Sequence, residues 1–257
     1  MDKKKQAIGV FDSGVGGLSV LKQIVNLLPN EDIYFYGDRA NAPYGSKSQK
    51  EIIALTIQAV ETLMSKSVKA IVIACNTATS EAIDVVREKY PEMLFIGIEP
   101  AIKPAVLDQN KAILLLATPM TLQSKRVNKL INQYNQHTHI LLKPMPLLAC
   151  LIEHHDLKDD EIQTYLKEEL HEYQDQVDAV VLGCTHYPFV QTGIVKELGN
   201  VKVYDGALGV AKHLKHILQQ HQLLNDDTKG GRIVFESSES NLDIFYKLWN
   251  MKIGEME

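Results

Sequence analysis

Eight short apolar runs, separated for the most part by stretches of helical periodicity, constrain this chain more than any other feature. The runs are "AIGVFD" (7–12), "DIYFYGD" (32–38), "KAIVIACN" (69–76), "LFIGIEP" (94–100), "KAILLLAT" (111–118), "HILLKPMP" (139–146), "DAVVLGCT" (178–185) and "VKVYDG" (201–206). They are continuous or rich in β-branched residues rather than alternating, which suits strands covered on both faces. Helical patterns fall at 17–28, 47–67, 78–90, 121–135, 159–175, 188–198 and 207–222. Ser46 and Ser48 stand ahead of "EIIALTIQAVETLM" as helix-opening residues. This alternation predicts an α/β fold with doubly wound, mainly parallel sheets. A late strand, "GGRIVFESS" (230–238), follows a Gly-Gly turn, and a helical segment after it carries the only tryptophan, Trp249.

Two of the runs repeat. "KAIVIACNT" (69–77) and "DAVVLGCTH" (178–186) share a charged residue, an alanine, three aliphatics, a small residue, a cysteine and two polar residues. Their cysteines lie 109 positions apart, and "AIGVFDS" from Ala7 matches "AILLLAT" from Ala112 at a spacing of 105. The near-equal offsets predict two similar α/β lobes. Each presents one cysteine at the carboxyl end of a strand, where open α/β sheets place their ligands. Lobes that face each other would bring Cys75 and Cys184 together across one cleft.

Composition narrows the function classes. The 257 residues are 45% hydrophobic, enough for a sizeable core, and the net charge of −5 gives no general reason to bind nucleic acid or an anionic membrane. No apolar stretch approaches the roughly 18 residues that span a bilayer. The first apolar patch is too brief for a signal-peptide core, and no small-residue cleavage site follows it. Three sparse cysteines suit neither a disulfide framework nor a zinc motif, so reduced thiols in the cytoplasm are expected.

Two thiols on opposite walls of a pocket can act as base and acid on one carbon. One takes a proton from one face, the other delivers a proton to the opposite face, and the centre inverts without a cofactor. Cys150, in "PLLACLIE", has apolar neighbours and reads as packing. A zinc site from Cys75, Cys184 and His186 lacks close-paired ligand spacing, so no metal is expected.

Other strand ends add polar groups. "FDSGVGGLSV" has neither a Walker lysine nor a full GxGxxG, and Asp12 at the strand tip would repel phosphate. Asp12 suits an ammonium, or caps a tight turn, while Ser13 and helix-start amides can hold an anion. In "YGDRANAPYGSKS", Asp38 could orient or deprotonate a thiol, and the Pro43-Tyr44-Gly45 turn could offer donors to a carboxylate. Asn76, Thr77 and Thr185 place neutral donors beside the thiols. His186 is either structural or a partner for a thiolate, and Glu153 reads on its own as solvated surface charge.

"GVFDSGVGGLSVL", "YGDRANAPYGSKS", "VIACNTATS", "EPAIKPA" and "LGCTHYPF" together resemble, in order and over essentially the whole chain, the glutamate racemases of the cofactor-independent aspartate/glutamate racemase family. The resemblance implies a first domain of 1–97 joined by 207–257, a second of 98–206, and glutamate enclosed between them. It implies Cys75 and Cys184 as the proton pair, on the D and L faces respectively, with His186, Asp38 and Glu153 assisting. Asp12, Ser13, Pro43, Tyr44, Gly45, Asn76, Thr77 and Thr185 match substrate-contact positions. It implies a cytoplasmic homodimer, with no cofactor, metal, nucleic acid or membrane partner, supplying D-glutamate for peptidoglycan and cell-wall synthesis. Aspartate remains the alternative substrate, since one methylene is worth only about 1–3 kcal/mol in a pocket. The chain departs from the family pattern at "LATPMT" (116–121), at "YDGALGVA" (204–211) and at Cys150.

Overall fold

The structure, a computed structural model, describes residues 2–134, 138–154, 157 and 160–253. Its first sheet holds β1 (Ile8–Asp12), β2 (Ile33–Gly37), β3 (Ala70–Ile73), β4 (Leu94–Gly97) and, from the far end of the sequence, β9 (Ile233–Ser237). Its second holds β5 (Ala112–Ala117), β6 (His139–Pro144), β7 (Ala179–Leu182) and β8 (Lys202–Asp205). All pairings are parallel. The spatial orders are β4-β3-β1-β2-β9 and β6-β5-β7-β8. Read from β8, the second order is 8-7-5-6, the same winding as 4-3-1-2. The sequence repeat is therefore a repeat of topology: Ala7 precedes β1 and Ala112 opens β5, and Cys75 and Cys184 follow β3 and β7.

Among the described residues eleven α-helices connect and cover the strands: α1 (Leu18–Leu27), α2 (Gln49–Met64), α3 (Asn76–Lys89), α4 (Ile102–Leu107), α5 (Pro119–Gln123), α6 (Lys125–Tyr134), α7 (Leu148–His154), α8 (Asp160–Leu170), α9 (Gln191–Leu198), α10 (Ala207–Gln220) and α11 (Asp243–Asn250). Alternate strand residues face opposite ways. Ile8, Val10, Ala70 and Val72 of the first sheet share one apolar core with Leu114, Leu116, Val180 and Leu182 of the second. Phe11, Ile71 and Ile73 face a second core under α2 and α3, and Ile113, Leu115 and Val181 face a third under α4 and α6.

Burial on both faces holds for the central β1, β3 and β7. It fails at the edge strand β6, where Leu142 is 41% exposed, because only one neighbouring strand and partial helix cover lie against it. The helix expected over 121–135 is two helices. Thr118 caps α5 with Pro119 at its first position, and Ser124 ends it and reopens the helix as α6, its hydroxyl accepting from Val127 N–H at 3.2 Å. Residue 135 of that expected helix and residue 159 of the next lie outside the described residues. The expected helix 188–198 opens as a 3-10 turn over Tyr187–Val190. The short helices α4 and α7 carry no periodic signal in the sequence. Ser48, rather than Ser46, caps α2 in a reciprocal capping box with Glu51.

The far end of the sequence is tied to the first sheet. Ile233 pairs with Ile33, and Gly231 N–H donates to Pro29 C=O at 2.8 Å. Glu31 accepts from Asn225 N–H at 2.9 Å and pairs with buried Lys69, which also donates to Lys4 C=O at 2.6 Å. Removing one member of such a pair strands the other charge, which costs about 3–5 kcal/mol. Lys69→Met is expected to lower stability by that order in urea unfolding, and an unchanged midpoint would contradict the role given to this pair.

Candidate active site

Strand order reverses between β1 and β3 in one sheet and between β5 and β7 in the other. Crevices at such switch points are where open α/β sheets bind ligands, and here the two crevices face each other. Cys75 lies two residues past β3 as the N-cap of α3, its Sγ accepting from Ala78 N–H at 3.4 Å. Its thiol donates to Ser13 Oγ at 3.4 Å. Cys184 lies two residues past β7, its Sγ 3.6 Å from His186 Nδ1.

Both sulfurs line one cavity. The first lobe adds Ser13, Pro43, Tyr44, Gly45, Asn76 and Thr77, and the second adds Thr118, Ala149, Thr185 and His186. The cavity is closed to about 10 Å³, room for a single water. In this closed arrangement the cavity has no room for a larger molecule.

Three expected site residues stand behind this wall rather than in it. Asp12 is fully buried, its oxygens taken by Gly14 N–H at 2.9 Å and the Thr185 hydroxyl at 3.0 Å. Its carboxylate therefore orients Thr185. Asp38 reaches neither thiol. It accepts from the Tyr44 hydroxyl at 2.7 Å and from Asn41 Nδ2 at 3.0 and 3.1 Å. The Tyr44 phenol is thus a committed donor, and burial and Asp38 raise its pKa. Glu153, read alone as surface charge, is 3% exposed and accepts from Val15 N–H and from His186 Nε2, each at 2.6 Å. The sequence hid it because α7 has no clear period and its partners come from distant positions.

The two thiols meet different electrostatics. Burial, then the charge of Asp12, pushes the Cys75 thiol up to about 12, against the opposing bonds from Ser13 and Ala78. Burial disfavours a charged His186, yet its bonds to Cys184 and Glu153 outweigh this and raise its pKa well above the ordinary value. Burial likewise opposes ionisation of Glu153, but His186, Val15 N–H and Arg39 hold its carboxyl below the usual range. Burial raises Asp12, offset in part by His186 and Gly14 N–H.

The glycine-rich turn has a steric purpose. A Cβ at Gly14 would lie 1.8 Å from Glu153 Oε1, and one at Gly16 would lie 2.4 Å from His186 Nδ1. The turn carries no phosphate fingerprint because its bare backbone makes room for side chains of the other lobe.

Thr118, Thr121 and Ala149 were not foreseen. The Thr77, Thr118 and Thr121 hydroxyls form a triangle of 2.9 to 3.1 Å across the lobes. A strand-end threonine followed by proline was the available signal for Thr118, as a helix cap. Asn76 Oδ1 is buried, lies at the cavity and has no hydrogen-bond partner among the described residues, an acceptor left for a ligand's donor. Cys150 is half-buried outside the cavity, 3.7 Å from His154 Nδ1. Among the described residues no three His, Cys, Asp or Glu residues converge as metal ligands, and no helix is long and apolar enough to cross a membrane.

The family model described as Asp/Glu/Hydantoin racemase matches residues 8–214. The protein is 45% identical over 254 residues to a glutamate racemase of Clostridium botulinum (strain Alaska E43 / Type E3), covering 96% of this chain and 98% of that one. It is 46% identical over 248 residues to a glutamate racemase of Clostridium novyi (strain NT), covering 95% and 96%. The fold superposes with a TM-score of 0.84 on the crystal structure of glutamate racemase from Francisella tularensis subsp. tularensis SCHU S4 in complex with D-glutamate, at 33% identity over 97% of this chain and 95% of that one.

A shifted His186–Glu153 pair is measurable. By NMR, His186 is expected to titrate well above its ordinary 6.5, and Glu153→Gln or Gly14→Ala to bring the midpoint down. A midpoint at or below 6.5 in the unmodified protein would contradict the pairing. His186 holds its proton more tightly folded than unfolded, so its stabilisation is complete below pH 6.5 and fades as pH climbs through the raised value. Glu153 holds its proton less tightly folded, so its share is present above 4.5 and fades as pH falls through the depressed value.

Proposed function

The chain belongs to the Asp/Glu/hydantoin racemase family and is an amino-acid racemase, and on that premise we propose that it interconverts L- and D-glutamate through Cys75 and Cys184 without a cofactor. The observation that carries the mechanism is the pair of thiols at the two facing switch points, lining one cavity. The choice of glutamate over aspartate rests on the nearly full-length likeness to proteins named glutamate racemase.

At neutral pH Cys75 rests as a protonated thiol, since burial and the Asp12 charge push its pKa up to about 12. Cys184 rests beside a cationic imidazole, a partner for an anionic sulfur. This resting pair suits L-glutamate. The Cys184 thiolate removes the α-proton, and the C–H electron pair passes into the adjoining carboxylate as an enediolate. The Cys75 thiol then protonates the opposite face, giving D-glutamate, a Cys184 thiol and a Cys75 thiolate. The D enantiomer runs the same steps in reverse.

The binding groups follow from the wall. Asn76 Oδ1, with no partner among the described residues, accepts from the α-ammonium. Ser13 offers its hydroxyl to the α-carboxylate, where charge develops in the transition state, and Thr185 Oγ, its proton held by Asp12, accepts from the α-ammonium beside Asn76. The Tyr44–Gly45 backbone and the Thr77 hydroxyl serve the side-chain carboxylate. Thr185 is aimed by Asp12, and Tyr44 by Asp38.

The protein divides for this work into 1–97 with 207–257, and 98–206. Support comes from β9 in the first sheet and α10 packed on α1. The family reading carries further expectations: a cytoplasmic homodimer, with D-glutamate passing to peptidoglycan synthesis.

The test is incubation with L-glutamate in deuterated water without added cofactor. Loss of optical activity with deuterium at the α-carbon is expected; binding without exchange would contradict the reading and favour a non-catalytic binding module. Cys75→Ser and Cys184→Ser are each expected to cut the rate by about 10²–10⁴-fold, as removal of a general acid or base does. Cys150→Ser should leave it near the unmodified value, and full activity in either of the first two variants would contradict their roles.

A further inference from the structure

Arg39 lines no part of the cavity, yet it is built into the site. It opens a 3-10 turn over Arg39–Asn41 in the first lobe. Its Nε donates to Glu153 Oε2 at 3.1 Å and its Nη2 donates to the Glu153 backbone carbonyl at 3.4 Å. Its Nη1 pairs with Glu239 at 2.7 Å, and the next residue, Ala40, donates its N–H to Ser238 Oγ at 3.0 Å. The returning segment after β9 thus grips the turn from outside.

We propose that Arg39 is the positioning residue of the Cys184 half of the site, acting through Glu153 and His186 when the lobes close; this rests on the racemase reading above. Glu153 belongs to α7 in the second lobe, but both its oxygens are fixed from the first. Val15 N–H takes Oε1 and Arg39 takes Oε2. A carboxylate gripped at both oxygens cannot rotate, so the remaining bond, from His186 Nε2 to Oε1, sets the imidazole ring. That ring then presents Nδ1 to the Cys184 sulfur. Parting of the lobes removes both first-lobe contacts at once. The closure that encloses substrate therefore also sets the histidine.

An ordinary surface ion pair would not do this. Arg39–Glu239 is such a pair, with Glu239 42% exposed, and pairs of this kind contribute about 0–1 kcal/mol. Arg39–Glu153 differs: the side chains are 13% and 1% exposed, and Glu153 has no solvent to replace the guanidinium. Cys75 has no matching relay, since its sulfur meets only the Ser13 hydroxyl and the Ala78 amide among hydrogen-bond partners of the described residues. The effect of Arg39 is therefore one-sided.

Two measurements on the full-length protein test this. The first is steady-state racemisation by Arg39→Ala, Arg39→Lys and Glu239→Gln. Arg39→Ala is expected to lower kcat by about 10–100-fold, the range that losing an outer partner of an oriented histidine costs at metal sites. KM should stay within about twofold, because a group off the cavity wall adds no uniform substrate binding. Arg39→Lys recovers part of kcat, since an ammonium can hold one oxygen but not fork across two groups. Glu239→Gln is expected to cost less than about threefold. The second is the primary isotope effect with α-deuterated L- and D-glutamate, which reads the closed complex. In Arg39→Ala the effect should grow with L-glutamate, whose deuteron leaves to Cys184, and should not grow with D-glutamate, whose deuteron leaves to Cys75. Unchanged kcat in Arg39→Ala, a change confined to KM, or an equal growth of the isotope effect with both enantiomers would overturn the proposal. An inactive unmodified enzyme would remove the racemase reading, whereas an active enzyme whose isotope effects do not respond to Arg39→Ala removes the role of Arg39.

Discussion

The backbone of the first glycine turn and the carboxylate of Glu153 occupy a space that would not admit one methyl group between them. Much of the site hangs on that approach. It lets Val15 N–H meet Glu153, lets His186 lie over Gly16, and brings a helix of one lobe against the strand tip of the other. Any side chain at position 14 or 16 would wedge the lobes apart. The two crevices would then open into separate, half-equipped sites.

Within that closed arrangement, duplication gives near-equivalence and local chemistry breaks it. The same four-strand winding, used twice, delivers a cysteine two residues past corresponding strands. Equivalent groups on two walls suit a reaction whose substrate and product are mirror images. Their surroundings differ, however. Cys75 sits against Asp12 and a serine hydroxyl, and burial with the Asp12 charge keeps it protonated at rest, whereas Cys184 sits against a histidine tied to a buried acid. On the proposed mechanism one thiol serves as acid and the other as base, and each turnover exchanges those roles.

Legibility in the sequence followed contact range. The strands could be read because each is a local run, and the two key cysteines because they share a local pattern that occurs twice. Family likeness supplied Glu153, which local reasoning placed on the surface; its burial comes from Val15, Arg39 and His186, up to 138 positions away. Asp12 and Asp38 were found as polar strand-end residues, but their orientation was not readable. Nothing local says that Thr185 and Tyr44 would claim their oxygens before a ligand or thiol could. Thr118 was visible only as an oddity in "LATPMT", since its partner Thr77 belongs to the other lobe. Arg39 carried no signal, because a lone arginine in a Gly/Pro loop is ordinary.

The whole account requires that the two sulfurs approach one carbon from opposite directions. The most direct measurement is the position of that carbon in a crystal structure of this protein with bound glutamate. The expected result is an α-carbon between Cys75 Sγ and Cys184 Sγ, one on each face, at near-attack separations of about 3–3.5 Å. An α-carbon with both sulfurs on one face, or with either sulfur remote in the closed complex, would contradict the mechanism.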